Sequence, residues 1–275
     1  MENYESPGMP QSLKGYTLLS CLKYTRGKEL FLVEEDATGE KRILKGGEPG
    51  RIRAEYEAYL DMEDAAFPKV LSFFREGEKA YFLRDYVEGV TLAALVERES
   101  VKGAGGLKLT EGLDLMEKVC AGVLLLHRKN PPLVHRDIKP ENLVLRPDGG
   151  ISFIDLDTVR KFDPKDTRDT VYLGTRETAA PEQFGFQQTS VRTDVYSLGI
   201  LFLYLVTGSY DIRTMQWKSL PPEIQSCIRK CLSFDPDRRY RDVGRLLSDI
   251  RCLKRTRFRM GHFAGLVAAL ALAVS

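Results

Sequence analysis

What this 275-residue chain lacks narrows its class before any motif is read. It has three histidines and five cysteines (Cys21, Cys120, Cys227, Cys231, Cys252), and no Cys-x-x-Cys pair. Neither a zinc site nor a disulfide framework is expected, and reduced cytosolic thiols are the better reading. Charge of one sign is also missing: 41 basic residues against 39 acidic ones leave a net +2, which gives no general pull toward nucleic acid. No apolar stretch opens the chain. Residues 1–14 are polar and rich in Gly, Pro and Ser, so they read as a disordered lead-in and not as a signal peptide. The rest is ordinary for a soluble protein, with 43% hydrophobic and 29% charged residues, and is long enough for one large domain or two lobes with proper cores.

One stretch carries chemistry: Val134-His135-Arg136-Asp137-Ile138-Lys139-Pro140-Glu141-Asn142. It sets an Asp, a Lys and an Asn in one tight loop, stiffened by Pro140. Further on, the apolar run Ile151 to Ile154 ends in Asp155. One carboxylate to orient a hydroxyl, with an Asn and a second carboxylate to hold Mg²⁺, is what phosphoryl transfer from ATP requires. The string His135 to Asn142 resembles the catalytic loop of protein kinases, and Ile-Lys-Pro-Glu is the serine/threonine form of it. Thr170 to Thr175 and Ala179 to Gly185 are most similar to bacterial eukaryotic-type serine/threonine kinases.

The resemblance covers about Tyr16 to Arg251. It implies an α+β bilobal fold: a small antiparallel-sheet N-lobe with one helix over 15–88, and a larger, mainly helical C-lobe over 89–251. It also implies roles. Asp137 would orient the substrate hydroxyl, Lys139 would neutralise the γ-phosphate, and Asn142 with Asp155 would hold Mg²⁺, Mn²⁺ being the alternative metal. Lys45, ending Arg42-Ile43-Leu44-Lys45, would grip the ATP phosphates. Its expected ion-pair partner is Glu55, which shares a helical face with Ala58, Tyr59 and Met62, whereas Glu57 faces Leu60, Asp61 and Asp64. Asp85 and Val87 would present backbone groups to adenine. Arg84 would then lie beside the base, so it either turns aside to a carboxylate or the register slips by one.

Two departures stand out. The phosphate-covering loop, Leu22 to Glu29, keeps a single glycine, Gly27, where the family has three. Either Lys23, Arg26 or Lys28 supplies charge in place of close backbone contact, or nucleotide binding is weakened. Asp155-Leu156-Asp157 stands for Asp-Phe-Gly, and Asp is among the few residues that tolerate a glycine's backbone angles.

In the second lobe, Leu92 to Glu99 and Thr110 to Arg128 read as helices joined by a flexible Gly-rich connector, Lys102 to Gly106. His127 ends the second helix's apolar stripe as a core or capping residue. Asp163 to Glu182 resembles an activation segment, with Thr167 or Thr170 the expected phosphosite and Arg136 its partner. Gly174-Thr175 resembles the peptide-docking turn. Asp194 lies at the start of a helix that turns almost wholly apolar over Ile200 to Val206; the resemblance implies that it braces the catalytic loop and that Arg239 is the buried partner of Glu182. Trp217 lies in a shortened docking region and reads as packing.

At the end, a basic segment over 252–260 precedes an uncharged apolar run in 261–275. As a helix, 263–275 covers about 20 Å, short of the ~30 Å hydrocarbon core. No polar face is visible, so a single-pass membrane anchor cut off at Ser275 is favoured over a core or in-plane helix. The kinase lobes would then be cytoplasmic; without an anchor the protein is cytoplasmic. Gly261 and Gly265 leave helix pairing, hence a homodimer, open. The expected partners are proteins carrying Ser or Thr, with no nucleic acid. A pseudokinase scaffold and a small-molecule phosphotransferase remain as rival readings.

Overall fold

The computed structural model describes residues 9–25, 27–103, 105–162, 178–184 and 188–256. Contacts divide the chain into two compact units: Met1–Gly89 with Arg146–Val159, and Val90–Leu145 with Arg160–Ser275.

In the first unit, strands β1 (Tyr16–Thr25), β2 (Lys28–Glu35), β3 (Lys41–Gly47), β4 (Val70–Glu76) and β5 (Lys79–Asp85) pair antiparallel in the order β1-β2-β3-β5-β4. The two-residue period sends Phe31, Val33, Leu44, Tyr81 and Leu83 into one core. The opposite face receives α1 (Pro49–Leu60), whose Tyr59 ring lies 6.1 Å from that of Phe82. Helix α1 starts at Pro49 because Glu48 accepts from the amides of Gly50 and Arg51, and proline suits the first turn. Strands β3 and β5 are covered on both faces, so a charged side chain there has to find partners.

Residues 146–159 belong with this sheet. Phe153 donates its N–H to Ala66 O at 2.8 Å and stacks on Phe67 at 5.3 Å. Asp155, which the sequence placed in the second lobe, is thus carried by the first unit.

The second unit is mainly helical: α2 (Leu92–Val101), α3 (Leu109–His127), α4 (Val191–Thr207), α5 (Met215–Ser219), α6 (Pro222–Cys231) and a last helix described over 243–256. As its apolar run predicts, α4 is buried almost all round, between α3 and α6. Ser190 and Thr193 close a capping box at its start. The end of the connector before α3, expected to be flexible, is packed: a Cβ on Gly106 would meet the Val206–Thr207 backbone at 2.6 Å, whereas Lys102 and Gly103 are exposed. Its glycine serves close approach. Trp217 is buried under the Arg229 guanidinium at 5.3 Å, a packing role.

The architecture is therefore α+β, a small antiparallel sheet with one helix and a larger helical unit. Among the described residues no helix is long and apolar enough to cross a membrane. The run 261–275, and Thr167, Thr170 and Thr175, lie outside the described residues.

Candidate active site

Lys45 projects from β3 toward α1 and is 3% exposed. A bare ammonium there would be strongly destabilising. Its Nζ lies 2.7 Å from Glu55 Oε1, 2.6 Å from Glu55 Oε2 and 2.6 Å from Asp155 Oδ1. Glu57 instead pairs with exposed Arg53 at 2.8 Å, so of the two glutamates on α1 it is Glu55 that meets Lys45. Lys28, the first residue of β2, donates to Asp155 Oδ2 at 2.8 Å and to Asp157 Oδ2 at 2.9 Å. Arg51 reaches that same Asp157 oxygen at 3.1 Å. Lys45, Lys28 and Arg51 thus face Glu55, Asp155 and Asp157, a set with no net charge when all are ionised.

Glu55 and Asp155 compete for the Lys45 ammonium, and their surroundings drive them apart. Burial pushes the Glu55 carboxyl up to about 7 against the pull of Lys45. Burial opposes ionisation of Asp155 too, but Lys45 and Lys28 outweigh it and hold that carboxyl well below the usual range. For Lys28 the burial effect is likewise outweighed, by Asp155 and Asp157, and its ammonium is held above the usual lysine range.

Several expectations need correcting here. Asp157 does not adopt a glycine-like backbone; among the described residues, Arg136 is the only non-glycine with positive φ. What accounts for Asp157 is its side chain, which Lys28 and Arg51 share. Arg84 does not turn to a carboxylate: buried in β5, it donates to the carbonyls of Asp85 and Ile154, each at 3.0 Å. On the sheet Arg84 sits opposite Ile43 of β3. Asp85 N–H is taken by Lys69 O at 2.9 Å, so only its carbonyl, already holding Arg84, could face a base. Asp85 and Val87 line a cleft of about 970 Å³ with Tyr59, Phe67, Val70 and Pro147, and none of the charge network lines it. Gly27 has open space around it: a Cβ would meet nothing within 4 Å. The sequence named Lys28 only as one of three loop cations. The missed signal is alternation, which puts Lys28 on the face of Leu30 and Leu32, opposite Phe31 and Val33.

In the second unit the loop residues converge. Lys139 Nζ lies 2.6 Å from Asp137 Oδ2, and Asn142 Nδ2 donates to the Asp137 carbonyl at 3.2 Å and to its Oδ2 at 3.3 Å. The loop is pinned from α4. Asp194, fully buried, accepts from the amides of His135 and Arg136 at 2.8 Å each and meets His127 Nε2 at 2.8 Å. Burial resists the Asp194 charge, yet His127, His135 and the Arg136 amide hold its carboxyl below the usual range. Arg136 takes φ 67°, a strained value for a side chain of its size. Its carbonyl accepts from Gln183 Nε2 at 2.8 Å, so both ends of its peptide are tied. Asp194, expected to brace the catalytic loop, thus accepts from two of that loop's amides. The His127 and Gln183 contacts were not legible, because each joins residues far apart in the chain.

A family model for the protein kinase domain matches residues 35–243. The chain belongs to that family. It is 24% identical to a probable serine/threonine-protein kinase of Clostridium perfringens, over 86% of this chain and 36% of that protein. It is 28% identical to the serine/threonine-protein kinase PrkC of Bacillus subtilis, over 73% and 33%. With the serine/threonine-protein kinase PknL of Mycobacterium tuberculosis the identity is 31%, over 68% and 44%. The chain thus spans between a third and under half of the length of these relatives.

Membership in the kinase family implies use of ATP and a divalent metal, and Asp155 is a residue that fits the metal. No cluster of three or more His, Cys, Asp or Glu that could hold a metal by itself occurs among the described residues. A nucleotide-borne Mg²⁺ needs no such cage, because phosphate oxygens and water complete its shell around one or two protein oxygens. Asp155, charged and already gripping cations through both oxygens, is such a donor.

Proposed function

We propose that this protein is a serine/threonine protein kinase that transfers the γ-phosphate of MgATP to Ser or Thr of protein substrates, itself included. The observation that carries the reading is Lys45 held at 2.6–2.7 Å between Glu55 and Asp155. That arrangement offers a fixed ammonium for the α and β phosphates beside the carboxylate that would meet the metal. In this reading Asn142 joins Asp155 on Mg²⁺ or Mn²⁺, Asp137 orients the attacking hydroxyl, and Lys139 neutralises the γ-phosphate. Asp85 and Val87 face adenine. Thr167 or Thr170, once phosphorylated, pairs with Arg136, and Thr175 docks the substrate. Preference for protein over small-molecule substrates is supported by the Glu182–Arg239 pair, which small-molecule phosphotransferases of this core generally lack. The anchor over 261–275, cytoplasmic lobes and a homodimer rest on sequence pattern alone.

One observation favours a pseudokinase scaffold: a cation, Lys28, already occupies Asp155 Oδ2. Calorimetric titration with MgATP separates the two. The kinase reading expects saturable binding that needs Mg²⁺ and is lost in Lys45→Met; binding indifferent to both favours the scaffold.

A further inference from the structure

The two departures from the kinase pattern, a glycine-poor loop and an Asp in place of the motif's Gly, meet in one ion pair, Lys28 with Asp157. Lys28 also holds Asp155 Oδ2, while Lys45 holds Oδ1, so both oxygens of the carboxylate assigned to the metal carry an ammonium. A divalent cation arriving at that oxygen and the Lys28 ammonium repel at such range, which favours departure of the ammonium. Lys28 begins β2 directly after Gly27 and shares its face with Leu30 and Leu32. A long, rotatable stem on that face can exchange one oxygen for another without moving the strand. Asp157 would keep the amine close during the exchange, and Arg51 at 3.1 Å holds Asp157.

We propose that Lys28 is a second phosphate-binding lysine: it guards Asp155 in the free protein, and passes from Asp155 to a nucleotide phosphate when the metal takes that carboxylate, with Asp157 as its tether. This rests on the kinase reading and adds a residue to it. The Lys28 charge stands in for the backbone amides that a glycine-rich loop would bring to the phosphates.

The test is done on the full chain with two binding measurements: Mn²⁺ alone, followed by its free electron-spin-resonance signal, and a fluorescent ATP analogue in saturating Mg²⁺. Lys28→Met should bind Mn²⁺ more tightly, because the guard is gone, yet bind the nucleotide about tenfold more weakly, the loss of one charge-assisted contact. Lys28→Arg should show smaller shifts of both kinds. Asp157→Asn should weaken Mn²⁺ binding, since Lys28 then rests on Asp155 alone, and that effect should shrink in the Lys28→Met background. A purely structural Lys28 would move both affinities of Lys28→Met the same way, or neither, and either result overturns the proposal. A wild type that binds nucleotide while Lys28→Met matches it in both assays removes this proposal alone. A wild type that binds no nucleotide removes the kinase reading and the proposal together.

Discussion

Arg239 and Glu182 form a two-pronged buried pair, Nη1 to Oε1 at 2.7 Å and Nη2 to Oε2 at 2.8 Å. The remaining guanidinium hydrogens go to the carbonyls of Ser233, Arg192 and Phe234, and the Tyr196 ring covers the plane at 5.0 Å. Every donor of the Arg is used, and Thr193 adds a hydrogen bond to Glu182 at 2.8 Å.

Removing one partner strands the other charge. Arg239→Ala should lower unfolding free energy by about 3–5 kcal/mol in urea melts, and Arg239→Lys should recover only part of it, since an ammonium cannot copy the fork. A loss under about 1 kcal/mol, typical of a solvated pair, would contradict this.

Asp194→Asn puts an amide where the amides of His135 and Arg136 both donate to a carboxylate. Losing charge-assisted acceptance should cost roughly 2–3 kcal/mol in stability. Activity should fall further than stability explains, because the strained Arg136 backbone beside Asp137 loses its hold. The check is phosphotransfer measured at a temperature where the variant is still folded; full activity there would refute the bracing role.

Asp137→Asn should slow transfer by ~10²–10⁴, the usual contribution of a positioned base. Asp155→Ala should slow it more, since the phosphate charge then goes uncompensated. Single-turnover rates with labelled ATP rank the two, and the reverse order would count against the metal role of Asp155.

The Glu55 carboxyl, pushed up by burial to about 7, gives a pH signature. Its pKa in the folded protein is above the unfolded value, so the folded state holds the extra proton. The stability this contributes is fully present below the ordinary glutamate range and is lost as pH rises through about 7. Glu55→Gln has no proton to lose. Its melting temperature relative to wild type should therefore rise between about pH 5 and pH 8. A constant difference across that range would show that Glu55 does not titrate there.

Much of this was legible in the chain. The Asp137–Lys139–Asn142 loop is local, so its spacing alone determined which groups meet, and the Glu55 face followed from helical geometry. The Glu182–Arg239 partnership was legible only through the family resemblance. What the sequence hid were contacts between distant segments whose side chains replace the expected backbone chemistry. Asp157 looked like conformational tolerance because its partner, Lys28, lies 129 positions away. Arg84 looked like a misfit because the carbonyls of Asp85 and Ile154 give no residue-type signal.

The most direct measurement is incubation of the protein with labelled ATP and Mg²⁺ alongside Asp137→Asn, with phosphosites mapped by mass spectrometry. The account predicts phosphate on Ser or Thr in the wild type, within 163–182 among other places, and at least about a hundredfold less in the variant over the same time. Label appearing equally in both, or in neither while MgATP binds normally, would contradict it.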